Sequence, residues 1–210
     1  MDKRTFKNTV YHEISRVSKA LANPVRLEII DFIANGEKCV EEIALQLQIS
    51  IANASQHLQT LKKERLVITR KEGHFIYYSL QSPEVYKAWD SLRNLTVSTS
   101  PFVNQSITEF RDTFQYDKPV SLKEITKRKD IHLLDVRPRA EYNKGKLKNA
   151  VSIPLEELAD RLSELPKNKL LIAYCRGMFC TLADEAVKLL KEKGFNAKKI
   201  EESVLDTMIK

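Results

Sequence analysis

The stretch Lys169–Ala183, KLLIAYCRGMFCTLA, constrains the fold more than any other part of the chain. Leu170 to Tyr174 are all apolar, a run the length of a strand rather than of a helix. The run ends on Cys175. A loop holding Gly177 follows, and a helical pattern runs from Cys180 to Lys193. On either side, short apolar runs alternate with helical patterns: IHLLDV, AVSIPL, a helix from Glu156 to Leu165, and after the second helix NAKKIE. Such alternation predicts a parallel sheet with helices on its faces. Ser121 and Glu124 form a capping box just ahead of it.

A cysteine at the carboxyl end of a strand, just before a helix, meets backbone N–H groups that no helical bond uses. The helix dipole adds positive potential there. This predicts a thiol at Cys175 with lowered pKa, able to hold a persulfide as an anion. Gly177 lets the backbone curl, and Arg176 adds a cation. Cys180 is placed to resolve a persulfide or sulfenate on Cys175 as a disulfide. Phosphatase and arsenate-reductase loops need an arginine six positions after the cysteine to clamp the oxyanion. Position 181 is threonine, which disfavours that chemistry.

The N-terminal half has a different pattern. Asn23 is an N-cap, Pro24 sits at the first helical position, apolar residues fall at 25, 29, 30 and 33, and Gly36 is a stop signal. CVEEIALQLQ predicts a short helix with Ile43, Ala44 and Leu47 on one face. After Ser50 as N-cap, the next helix buries Ala54, Leu58 and Leu61. A β-hairpin turns at Lys71-Glu72-Gly73-His74. Ser82 and Pro83 restart a helix, and Pro101 opens another that carries Phe102, Ile107, Phe110 and Phe114. Two short helices and a basic hairpin suggest a winged helix-turn-helix. Asn53, Gln56, His57 and Thr60 then face base edges, and Ser55 and Gln59 contact phosphates or the rim. Lys62, Lys63, Arg70, Lys71 and His74 meet phosphates or the minor groove.

The chain has 210 residues, enough for two small domains, and 30% of them are charged. No apolar run is long enough to span a bilayer, and the first residues lack a signal-peptide core, so a cytoplasmic location without membrane partners is expected. The net charge of +7 divides into +3 up to Ser100 and +4 beyond, so charge alone locates no nucleic-acid site. The cysteines Cys39, Cys175 and Cys180 argue for redox, catalytic or buried roles rather than a disulfide scaffold.

Residues 12–95 resemble the ArsR family of small bacterial repressors. The resemblance rests on LANPVRLEIIDFI, VEEIALQLQISIANASQHLQTLKKERLV and the wing RKEGHFIYYSL. It implies a homodimer joined through the first and last helices, with Tyr86, Trp89, Leu92 and Leu95 at the interface or in the core, and a palindromic double-stranded DNA operator. Metal-sensing members carry CVC followed by an acidic residue; here CVEE puts Glu41 in place of the second cysteine. His12, Glu13 and Glu41 do not complete a soft-metal set around Cys39, and no metal or other cofactor is expected.

Residues 118–200 resemble a rhodanese domain, through LLDVRPRAEYNKGKLKNAVSIPLEEL and IAYCRGMFCTLADEAVKLLKEKGF. This implies that Cys175 carries the sulfur and that the backbone of Arg176, Gly177, Met178, Phe179 and Cys180 cradles it. Asp135, Arg137 and Glu141 are structural ties near the loop. Two departures, Gly145-Lys146-Leu147 and a terminal EESVLDTMIK without Gly-Gly or tryptophan, point to poor turnover.

The resulting division is a mainly α winged helix-turn-helix domain at 1–98, a connector at 99–117, helical in part, and an α/β rhodanese-like domain with a parallel sheet at 118–210. The reading is a transcriptional regulator, a repressor, that carries sulfane sulfur or senses oxidation on Cys175. Its sulfur donor is thiosulfate or a polysulfide. The alternatives are a rhodanese-type sulfurtransferase tethered to DNA, working through a Cys175 persulfide, and a plain repressor with an inert second domain.

Overall fold

The computed structural model describes residues 1–114, 118–125, 128 and 130–208. Residues 115–117, at the end of the connector drawn from sequence, and 126, 127, 129, 209 and 210 of the span 118–210 lie outside the described residues. The residues fall into two compact units, Met1–Thr96 and Val97–Lys210.

In the first unit, helix α1 (Lys3–Leu21) ends two residues before α2 (Pro24–Ala34) begins. Asn23 makes the junction: its side chain accepts from Arg26 N at 3.1 Å, and Pro24 fills a position that needs no donor. Arg26 reaches back, donating Nη2 to Lys19 O at 2.9 Å and Nε to Ala20 O. Strand β1 (Lys38–Cys39), α3 (Val40–Gln46) and α4 (Ile51–Lys63) follow. Ser50 caps α4, accepting from Asn53 N at 3.2 Å. Ile29, Ile30, Ile33, Ile43, Ala44, Ala54, Leu58 and Leu61 build the core between these helices. Burial of each large aliphatic chain contributes about 1.5–3 kcal/mol. Strands β2 (Val67–Glu72) and β3 (Phe75–Leu80) form the antiparallel hairpin, and β1 adds to the far side of β3. Glu72 pairs with Phe75, leaving Gly73 and His74 as a two-residue turn in which Gly73 takes φ +59°. Helix α5 (Pro83–Thr99) buries Val85, Tyr86 and Trp89, with Trp89 Nε1 donating to Asp31 Oδ1 at 2.9 Å.

The second unit holds the last residues of α5, then α6 (Pro101–Asp112), which Ser100 caps. Its sheet has the order β5-β4-β6-β7, all parallel: β4 (Ile131–Asp135), β5 (Val151–Ser152), β6 (Leu170–Tyr174) and β7 (Ala197–Lys199). Short helices α7 (Leu122–Ile125), α8 (Arg139–Lys144) and α9 (Leu155–Leu158), then α10 (Leu182–Glu192) and α11 (Val204–Met208), complete it. The period of two sorts β6 between two cores. Leu171 and Ala173 pack with Leu134, Leu158, Ala186, Val187 and Leu190, while Leu170, Ile172 and Tyr174 pack with Ile125, Leu147 and Val204. Every residue of β6 is buried, as a central parallel strand requires.

Three boundaries differ from the sequence reading. The helix expected over 156–165 is α9 followed by a 3₁₀ turn at Leu162–Glu164. Prolines 154 and 166 confine the segment, and burying both Leu158 and Leu165 draws the backbone between them into tighter i→i−3 bonds such as Arg161 N to Leu158 O at 3.3 Å. The helix expected from Cys180 begins at Leu182, because Cys180 N donates to Gly177 O at 3.1 Å and so closes the preceding loop. AVSIPL keeps only Val151 and Ser152 as strand, ending before Pro154.

Candidate functional site

Two sites were expected from sequence, a DNA-reading face and a cysteine loop. On α4 the buried stripe is Ala54, Leu58 and Leu61. Gln56, Gln59, Lys62 and Lys63 are exposed, and Asn53, Ser55, His57 and Thr60 are half-buried. Thr60 Oγ1 donates to Gln56 O at 3.1 Å, and Lys62 Nζ donates to Thr69 Oγ1 at 3.2 Å. Burial, then the nearby Arg26, pulls the His57 pKa down, so this imidazole is neutral near pH 7. Lys71 and His74 lie exposed at the hairpin tip. Arg70 differs from the expectation of a phosphate contact. Its guanidinium holds both oxygens of Glu37 at 2.9 and 3.0 Å and Glu72 at 2.5 Å, and stacks over Tyr77. A phosphate would have to displace two carboxylates, so Arg70 braces the wing in this structure.

Cys39 caps α3 through its own N–H, which donates to Glu42 Oε2 at 2.7 Å. Burial pushes its thiol up. Among the described residues, no group of three or more His, Cys, Asp or Glu is placed to hold a metal ion.

In the second unit, β6 delivers Cys175 to the carboxyl edge of the sheet and the backbone curls at Gly177, whose φ is +119°. Arg176 is locked by the side chain of Glu141, which accepts from it at 2.8, 3.0 and 3.2 Å. Asp135 accepts from the Arg137 backbone N and Nε at 3.0 Å and from Nη2 at 2.7 Å, and Arg137 Nη2 also donates to Gly145 O at 2.7 Å. These ties fix the two loops beside the cysteines.

The thiols themselves depart from the expectation. Cys175 is 1% exposed, and its S–H faces Cys180 O at 3.3 Å and Gly177 O at 3.9 Å. Burial raises its pKa well above the ordinary thiol value. The lowered thiol is Cys180, brought to about 6 by the Cys175 thiol donating to it, by the Arg176 guanidinium, and by the backbone N–H groups of Arg176 and Leu182. Burial outweighs the Lys199 ammonium and the Ala183 N–H, both of which pull the Cys175 thiol down.

Two further side chains escaped the sequence reading. Lys199 is wholly buried, with Nζ 2.5 Å from Asp184 Oδ2 and 3.2 Å from Cys180 O. A signal existed: the period of two in NAKKIE puts Lys199 on the same face as the buried Ala197. Arg111, at the end of α6, pairs with Glu201 and donates Nη2 to Met178 O at 3.4 Å.

A family model for the rhodanese-like domain matches residues 118–205, and one for bacterial regulatory proteins of the arsR family matches residues 23–69. The HTH-type transcriptional regulator Rv0324 of Mycobacterium tuberculosis is 33% identical over 203 residues, spanning 95% of this chain and 89% of its own. The chain belongs to the arsR family of bacterial regulatory proteins. This arsR-family regulator carries the rhodanese-like domain in its C-terminal unit. The transcriptional activator HlyU of Vibrio cholerae is 39% identical over 77 residues, 37% of this chain and 71% of its own. Among solved structures, a homodimeric winged helix-turn-helix DNA-binding domain from Mycobacterium bovis is 33% identical and covers 49% of this chain and 93% of its own, with a TM-score of 0.45. No helix of the described regulator is long and apolar enough to cross a membrane.

Proposed function

We propose that this transcriptional regulator is a repressor that binds a palindromic operator as a homodimer, through α4 and the hairpin, and changes its operator affinity when the Cys175–Cys180 loop takes up sulfane sulfur or an oxidant. The observation that carries the reading is the thiol pair itself. Cys175 and Cys180 lie in one curled loop, with Cys175 Sγ 3.3 Å from Cys180 O and an arginine clamped by Glu141 between them in sequence, a reactive arrangement in a chain otherwise built to read DNA.

Dimerisation is supported by what α1 leaves uncovered. Of its 19 residues only Ala20 is buried, while Phe6, Tyr11 and Ile14 are each more than half exposed. A helix this sparsely packed needs a partner surface to be stable, and a second copy of the chain supplies one. Leu92 and Leu95 on α5 are exposed in the same way.

The link to regulation is Arg111. A charge-assisted hydrogen bond contributes about 1.5–3 kcal/mol, the range of ordinary coupling free energies, about 1–3 kcal/mol. An added sulfur atom moves Met178 O, and Arg111 passes the change to α6. A DNA-tethered sulfurtransferase is the competing reading.

The test is operator binding with and without polysulfide, for wild type and Cys175→Ser, alongside a sulfur-transfer assay. The expected result is weaker binding of wild type under polysulfide and an unresponsive variant. Equal responses from the two proteins refute the sensor; rapid turnover with unchanged operator binding establishes the enzyme instead.

A further inference from the structure

We infer that the C-terminal unit carries a second ligand site, a cleft at the amino end of its sheet that takes an anion with an apolar tail, such as a medium-chain carboxylate or alkyl phosphate. This site is independent of the sulfur-responsive reading.

The topology sets the cleft apart from the cysteines. Ile131, His132 and Leu133 open β4, and Lys169 directly precedes β6, so the cleft lies where these parallel strands begin. Cys175 follows the other end of β6, six residues on from Lys169. At a strand rise of about 3.3 Å per residue that is about 20 Å away.

The cleft has a volume of about 850 Å³. Small-molecule sites usually enclose about 300–1,000 Å³. Its floor is the second core of the sheet. Ile125 and Leu147 are buried there, while Leu122, Ile131 and Leu133 pack against them and stay only partly covered. A hydrocarbon tail laid on these side chains would finish covering a core that the fold leaves open at one edge.

The rim is cationic. Lys146, Lys148 and Lys169 are exposed on it, and no aspartate or glutamate is among the described residues that line the cleft. Arg128 also lines it but is already paired with Asp130, at 2.7 and 3.1 Å. Charges of one sign around an apolar wall draw in an anionic head. The loop that carries two of the lysines is held in place. Leu147 N donates to Tyr174 Oη at 3.2 Å, and Tyr142 Oη donates to Ala150 O at 2.9 Å. Lys146 Nζ rests 4.3 Å from the centroid of the Tyr142 ring. A rim fixed beforehand costs little to order around a ligand. The cleft also gives a role to Lys146, the residue that sets Gly145-Lys146-Leu147 apart.

His132 adds a neutral polar group. Burial, then Lys169, lowers its pKa, and among the described residues its Nε2 has no hydrogen-bond partner. A polar atom shielded from solvent normally has one. An anionic head bound beside Lys169 gives the ring an acceptor to turn towards.

The test titrates the full-length protein calorimetrically with decanoate, decyl phosphate, acetate and decyltrimethylammonium, and follows the histidine ring resonances by NMR. The other three histidines, His12, His57 and His74, lie in the N-terminal unit and serve as controls. His12 reports on α1, whose exposed Phe6, Tyr11 and Ile14 are the obvious place for adventitious binding of a tail. At least one of the two tailed anions is expected to bind one per chain and to shift His132 but not His12. Acetate, which lacks the tail, should bind at least about tenfold more weakly. Lys146→Glu/Lys169→Glu reverses two exposed charges without touching the core, and should weaken the tailed anion at least about tenfold. The site is overturned by undiminished affinity in that variant, by equal affinity for the quaternary ammonium or for acetate, by a shift at His12 in place of His132, or by absence of saturable binding of both tailed anions.

Discussion

Replacing Lys199 by methionine tests how the loop is held. Lys199 and Asp184 are 0% and 2% exposed, and their charged atoms are 2.5 Å apart. Removing one member of a buried ion pair leaves the other charge in a low-dielectric site, at a cost of about 3–5 kcal/mol. With a urea dependence of about 2 kcal/mol per molar, Lys199→Met should lower the unfolding midpoint of the C-terminal unit by about 2 M. Far-UV circular dichroism follows both units and fluorescence of Trp89, the single tryptophan, follows the N-terminal unit, so the transition of the C-terminal unit is the dichroism change that has no fluorescence counterpart. The double variant Lys199→Met/Asp184→Ala removes both charges. It should recover all but about 1 kcal/mol of the loss, part of which is the acid lost from the first turn of α10. The double variant then separates stability from chemistry. Its Cys180 carbonyl is no longer fixed by Lys199, so the response of the loop to polysulfide should change while most of the stability is kept. A destabilisation below about 1 kcal/mol in Lys199→Met would mean that the Asp184 site is not a low-dielectric one, and the reasoning would fail.

Three other perturbations carry separate parts of the argument. Alkylation of Cys180 should be half-maximal near pH 6, and the same thiol sets a stability profile. In the fold Cys180 gives up its proton near 6 and an unfolded thiol near 9, so stability rises with pH across that window; above 9 it falls, because buried Cys175 keeps a proton that the unfolded chain has lost. Flat alkylation below pH 8 would mean that no thiol of the loop is lowered. Lys62→Ala/Lys63→Ala should flatten the dependence of log K on log salt by about 2 per half-site, at about 0.9 for each phosphate contact removed; an unchanged slope removes the end of α4 from the DNA interface. Arg111→Ala should load sulfur as wild type does yet keep its operator under polysulfide; operator release at the wild-type dose would show that the signal bypasses Met178 O.

Much of the architecture was legible because local signals agreed with the final packing. Asn23 and Ser50 cap the helices they precede, Gly73 turns the hairpin, and the unbroken apolar run of β6 lies in the middle of a parallel sheet. Boundaries failed where a side-chain demand overrode periodicity, as at Leu158 and Leu165, both of which reach the core across a segment closed by two prolines. The pairing of Arg70 was not legible because its partner Glu37 lies 33 residues away in sequence.

The roles of the two cysteines were the least legible part, for a geometric reason. A strand–loop–helix segment with cysteines at 175 and 180 has amides at one mouth and carbonyls at the other, and sequence does not say which sulfur faces which. The direction depends on the curl at Gly177, on the bond from Cys180 N to Gly177 O, and on Lys199 pulling the Cys180 carbonyl inward over Cys175. The Cys180 and Gly177 carbonyls thereby come to the Cys175 sulfur, where the Ala183 N–H also points. Lys199 grips the carbonyl that faces Cys175, so under the proposed function a change in the oxidation state of the loop sulfur is felt by Lys199 and, through the loop, by Arg111 on α6.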